Sequence, residues 1–116
     1  LYRASTQQVE EVDLSAFPLG IRAESTYGVE EVDLDEGDVV VMCSDGIIEA
    51  GNEAGELYGF DRVAEAIRQA GRRQMCSQEI IDHLFGDVEQ FVQDSEQADD
   101  QTVVVIRVDG DKAPQN

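Results

Sequence analysis

The chain has 116 residues, which suits one compact domain and leaves no room for two. Apolar residues make up 41 % and charged residues 29 %, so the chain can bury a core and is not a disordered tail. With 8 Lys and Arg against 26 Asp and Glu, the formal net charge is −18. Such a surface makes nucleic acid and anionic membranes poor partners and favours divalent cations and basic protein patches.

The longest apolar run, Val39 to Cys43, is too short to insert in a bilayer. No signal peptide is visible and position 1 is Leu, so the chain is expected to be a piece of a longer protein. Cys43 and Cys76 do not make a disulfide framework and read as reduced thiols of a cytoplasmic protein.

Gln8 to Leu14 reads as a strand, with Val12 and Leu14 alternating with Glu11 and Asp13. Phe17-Pro18-Leu19-Gly20 turns the chain. Gly28 to Leu34 reads as a second strand with Val32 and Leu34 on one face. The string VEEVDL occurs at 9–14 and again at 29–34, which fits two similar half-buried strands and also fits coincidence. After the turn Asp35-Glu36-Gly37-Asp38, Val39 to Ser44 is a continuous apolar strand of the kind buried on both faces. Residues 45–59 read as irregular.

A helix is expected over Asp61 to Ala70, with the stripe Phe60, Val63, Ile67 and Ala70 and with Gly71 just past its end. Ser77 is the expected N-cap of a second helix that reaches about residue 94, and Ile80, Leu84, Val88 and Val92 keep its period. Asp94 to Asp100 is an acidic loop, Thr102 to Val108 a β-branched strand, and 111–116 a polar tail on a domain spanning 1–110.

Two acidic spots adjoin apolar strands: Ser44-Asp45-Gly46 after one, and Asp99-Asp100 before the other. Carboxylates on stiff strand ends suit hard metal ions, and Gly46 lets the backbone pass close to whatever Asp45 binds. Ordinary turn acids account for the same pattern. His83, the lone histidine, reads as a helix-surface or core-edge residue, and nothing pairs it with Ser44 or Cys43 as a catalytic couple. No glycine run has phosphate-loop spacing. An apolar strand followed by Asp-Gly is also similar to the first motif of haloacid-dehalogenase-type phosphatases. That motif needs an Asp where Cys43 stands and a Thr after Gly46, and neither is present.

Pro18-Leu19-Gly20-Ile21, Leu34 with Gly37-Asp38, Ser44-Asp45-Gly46-Ile47-Ile48-Glu49, Tyr58-Gly59 and Ala98-Asp99-Asp100-Gln101-Thr102 follow in order over about residues 8 to 108. Together they resemble the C-terminal half of a PPM-type (PP2C-like) serine/threonine phosphatase domain, of the bacterial sporulation-stage-II-protein-E and RsbU class. The resemblance implies an α+β fold, an α-β-β-α sandwich of mainly antiparallel sheets, present here only as an incomplete C-terminal portion. It implies two Mn²⁺ or Mg²⁺ ions and a water activated by them that attacks the phosphorus of a phosphoserine or phosphothreonine in line. Asp45 and Asp99 match metal-binding positions, while Asp100 and Gly46 stand beside them and Glu49 takes a structural role.

The implied substrate is a phosphorylated protein of the anti-sigma-factor-antagonist type. The family's first half carries a Gly-Asp-x-x-Asp segment with two further metal-binding acids. No such pattern precedes Pro18, and the fifth residue from Gly37 is Val41. The expected partners are therefore the missing half and, through exposed sheet surface, a second copy. A non-catalytic acidic interaction module that keeps the phosphatase shape is the alternative. A Gly-Asp-x-x-Asp segment upstream of Leu1 discriminates between the two.

Overall fold

The computed structural model describes residues 1–12, 29, 31–97 and 99–110. Seven elements follow in order: β1 (Tyr2–Arg3), β2 (Gln8–Val9), β3 (Val39–Cys43), α1 (Asp45–Ile48), α2 (Gly59–Arg72), α3 (Ser77–Val92) and β4 (Val103–Arg107). The strands make one sheet in the order β2-β1-β3-β4, antiparallel at every pairing. The architecture is the expected α+β with an antiparallel sheet, and no parallel pair of the dehalogenase kind occurs among the described residues.

β3 and β4 form the longest ladder, in register from Val39↔Arg107 to Cys43↔Val103. Period-2 alternation then sends Val39, Val41, Cys43, Val103 and Val105 to the helical side, where they join the core. Met42, Val104 and Ile106 face the other way and are 51 %, 46 % and 47 % exposed. β3 is therefore covered on one face only among the described residues, not on both as its unbroken apolar run suggested.

α2 and α3 pack on the covered face as an antiparallel pair, joined by a short loop. Gln69 meets His83 across the pair at 3.3 Å, and Arg62 lies over the Phe91 ring at 4.3 Å. His83 is thus the core-edge residue expected. Val63, Ala66, Ile67 and Ala70 of α2 interlock with Ile80, Leu84 and Val88 of α3, all buried. At the start of α2 the buried Tyr58 hydroxyl donates to Asp87 at 2.5 Å and its ring meets Phe91 edge-on. Burial, and then the Asp87 carboxylate, push that hydroxyl above the ordinary tyrosine range.

Several expected boundaries move. Among the described residues, the strand expected over Gln8 to Leu14 covers Gln8–Val9, paired with the unexpected β1 through Tyr2↔Val9; Glu11 and Val12 lie outside it and are exposed. Residues 13 and 14, and the turn at Phe17 to Gly20, lie outside the described residues. Of the second VEEVDL copy, residues 31–34 form no strand. The Arg3 guanidinium takes the Asp33 carbonyl at 2.5 Å, so a side chain rather than a ladder partner holds this segment. Residues 28 and 30 are not described.

The stretch after β3 is not wholly irregular, since it begins with α1 and closes on a bridge between Gly51 and Leu57. Gly71 lies inside α2, which runs on to Arg72 because the Tyr2 ring packs against the bare glycine. The N-cap of α3 is Cys76, one residue before the expected Ser77, and its N–H is taken by Glu79 at 3.0 Å. The helix ends at Val92 rather than about residue 94. The tail beyond residue 110 is not described.

Candidate metal centre

β3 and β4 are antiparallel neighbours, so the end of β3 and the start of β4 share one rim of the sheet. This places Ser44-Asp45-Gly46 beside Asp99-Asp100, although 54 positions separate Asp45 from Asp99. Ser44 makes the join. Its backbone N–H donates to the Thr102 carbonyl at 2.9 Å, and its hydroxyl oxygen accepts the Thr102 N–H at 2.9 Å. The same hydroxyl donates to the Asp100 carbonyl at 3.3 Å. A serine ahead of a helix usually caps it; here the side chain makes no cap bond to α1 and reaches across to the other strand instead.

Gly46 is the second contact. A Cβ at this position would run into the Asp100 carbonyl, so only glycine lets the two loops close. Gln101 adds a side-chain N–H to the Gly46 carbonyl at 3.4 Å. Asp99 is set by local bonds: its carboxylate accepts the Asp100 N–H, and Gln97 donates to its carbonyl, both at 2.8 Å. Asp45, Asp99 and Asp100 are exposed, whereas Gly46 is buried. Glu49 follows α1 as its C-cap and is exposed.

The donor set is hard oxygen, the kind that Mg²⁺ and Mn²⁺ take, and the two loops are pinned close together. The residues fit one wall of such a site. They do not complete it: among the described residues no group of three or more His, Cys, Asp or Glu side chains is placed to hold an ion. Ser44 and Gln101 stand inside the two motifs, but the sequence assigned neither of them a role. The signals for Ser44 were its place at a strand end immediately before the acid and at the head of the Ser-Asp-Gly motif.

The family model of stage II sporulation protein E matches residues 1–109. The chain belongs to the stage II sporulation protein E family. This is a family of PP2C-like phosphatase domains, which generally use Mn²⁺ or Mg²⁺. No curated protein and no solved structure matches the chain. In this stage II sporulation protein E family chain, the rim of β3 and β4 is where the loop of Asp45 and the loop of Asp99 are held together. No helix among the described residues is long and apolar enough to cross a membrane.

Proposed function

We propose that the chain is the C-terminal portion of a Mn²⁺- or Mg²⁺-dependent phosphoprotein phosphatase domain of the cytoplasm, with Asp45 and Asp99 as metal ligands. The observation that carries this is the pinning of the Asp99-Asp100 backbone onto Gly46 by Ser44. Divalent ions held there would supply a water of lowered pKa and neutralise the phosphate charge. This chain's part is to hold Asp45 on the first turn of α1 and Asp99 on its turn at a fixed separation. Asp100 and Gly46 shape the wall beside them. No side-chain nucleophile is required, which suits a site where Ser44 is occupied in joining two loops.

Among the described residues, the valine, isoleucine and methionine on the outer sheet face are half-exposed, which supports the reading of an incomplete domain, since a second layer covers such a face in a sandwich. That face also suits pairing with the missing half or with a second copy. The unpaired thiols of Cys43 and Cys76 agree with a reducing compartment. The substrate is a phosphorylated protein of the anti-sigma-factor-antagonist type. A second reading, an acidic interaction module without catalysis, is favoured by one observation: two carboxylates provide only part of the roughly six-oxygen shell of each ion.

Phosphate release from p-nitrophenyl phosphate and a phosphoserine peptide decides between them. The complete domain is expected to turn over only with Mn²⁺ or Mg²⁺, this chain alone poorly. Asp45→Asn and Asp99→Asn in the complete domain are expected to lose at least about 100-fold. Unchanged turnover in both variants removes the metal assignment, and no turnover by the complete domain favours the module.

A further inference from the structure

A groove of about 530 Å³ opens beside Gly46 and Asp99, between the segment after α1 and the C-terminal half of α3. That volume lies within the range of specific ligand sites, about 300–1,000 Å³. The floor is apolar: Ala50 and Val88 are buried there, and Phe85 and Val92 partly so. The rim is acidic, with Glu49, Glu89, Glu96 and Asp99, and no Lys, Arg or His lines it among the described residues. Nor do Glu49, Glu89 and Glu96 join any ion pair among those residues.

We propose that this groove docks the stretch of the phosphoprotein next to its phosphorylated residue, with a Lys or Arg at the acidic rim and an adjacent apolar side chain on the floor. The proposal rests on the phosphatase reading above, and the two can fail separately. Charge chooses the occupant. A free phosphate or other anion is repelled by four carboxylates, and a second copy of the chain brings the same excess of acid, −18 in all. A lone metal ion lacks a cluster of three ligands among the described residues. A cationic side chain with an apolar neighbour satisfies rim and floor together, its stem lying along the apolar surface and its head at the carboxylates. Glu49, Glu89 and Glu96 keep the phosphate itself out of the groove; at the Asp45 and Asp99 end, divalent ions held by those acids would offset their charge and take it.

The test uses fluorescein-labelled phosphoserine peptides that differ only in the flanking pair, Arg-Leu against Glu-Leu, with binding to the 116-residue chain read by anisotropy. The Arg-Leu peptide is expected to bind about tenfold more tightly. Glu89→Gln with Glu96→Gln is expected to abolish that preference. Glu31→Gln with Glu53→Gln, the same charge change away from the groove, is expected to keep it. All four positions are exposed, and melting curves check that folding is intact. Equal affinity of the two peptides, or a preference that falls equally in both double variants, overturns the proposal. Hydrolysis of p-nitrophenyl phosphate by the complete domain reads the other claim, because that substrate has no flanking residues. Its absence beside an intact peptide preference sinks the phosphatase reading and leaves the docking surface standing.

Discussion

Asp38 is the buried carboxylate on which the sheet's first strand depends. It accepts the Ala4 and Asp35 N–H groups, each at 2.9 Å, and pairs with Arg3 at 3.2 Å. Burial alone would raise its carboxyl, but those two N–H groups and the Arg3 guanidinium outweigh it and hold the group below the ordinary carboxylate range. Asp38→Ala is expected to cost about 2–3 kcal/mol at neutral pH, because hydrogen bonds to a charged group are worth roughly 1.5–3 kcal/mol. A carboxyl depressed on folding stabilises fully above its unfolded value, about 3.9, and its contribution fades as pH falls through the lower folded value. Urea midpoints of wild type and Asp38→Asn should therefore lie well apart at pH 7 and converge in acid; a constant gap refutes the ionic account. Cys43 offers a second check. Burial, and then the neighbouring Asp45 carboxylate, push its thiol up, whereas Cys76 is exposed. A thiol reagent at pH 8 is expected to label Cys76 first.

At the scale of elements, two glycines inside helices behave oppositely. Gly71 of α2 faces the buried Tyr2 ring, and a Cβ there would collide with it. Gly71→Ala gains about 1 kcal/mol of helix propensity but costs about 1–3 kcal/mol in overpacking, so the melting point should fall. Gly86 of α3 has nothing within 4 Å of an added Cβ, and Gly86→Ala should raise it. A rise in both variants would mean that Tyr2 yields freely. Position 71 also shows where the sequence was hard to read. A glycine after an apolar stripe is the ordinary sign of a helix end, and its contact with a ring 69 positions upstream carries no local signal. The long elements β3, β4, α2 and α3 were legible because periodic apolar residues decide them. The second VEEVDL copy misled over residues 31–34, because Val32 and Leu34 among acids do not by themselves specify a strand, and Arg3 holds Asp33 instead. At the rim, the approach of the Asp45 and Asp99 loops was legible from their places at strand ends and from motif order. The bridging role of Ser44 was not, because no local signal tells that its hydroxyl reaches Thr102, 58 positions away.

For the whole molecule, a net charge of −18 means that folding gathers like charges, so screening should favour the folded state. Raising sodium chloride from about 0.01 to 0.5 M is expected to raise the melting temperature, and a fall would show that ion pairs outweigh the repulsion. The valine ladder between β3 and β4 has a further consequence. Val39-Val40-Val41 and Val103-Val104-Val105-Ile106 are nearly interchangeable along their length. A slip of two residues leaves every side chain on its proper face, so burial alone barely opposes it. The same slip would carry Asp99 about 6.6 Å past Asp45, at roughly 3.3 Å per residue. Alignment is guarded at the two ends of the ladder: Ser44 grips Thr102 and Asp100, and Arg107 reaches the Met75 carbonyl at 3.2 Å. Ser44→Ala should therefore remove only about 1 kcal/mol of stability while raising the Mn²⁺ needed by the complete domain about 10–100-fold, and Ser44→Thr should restore it. The hydroxyl then works as a proofreader of strand alignment, because at the rim it tells the correct pairing from one that is hydrophobically equivalent and chemically inert.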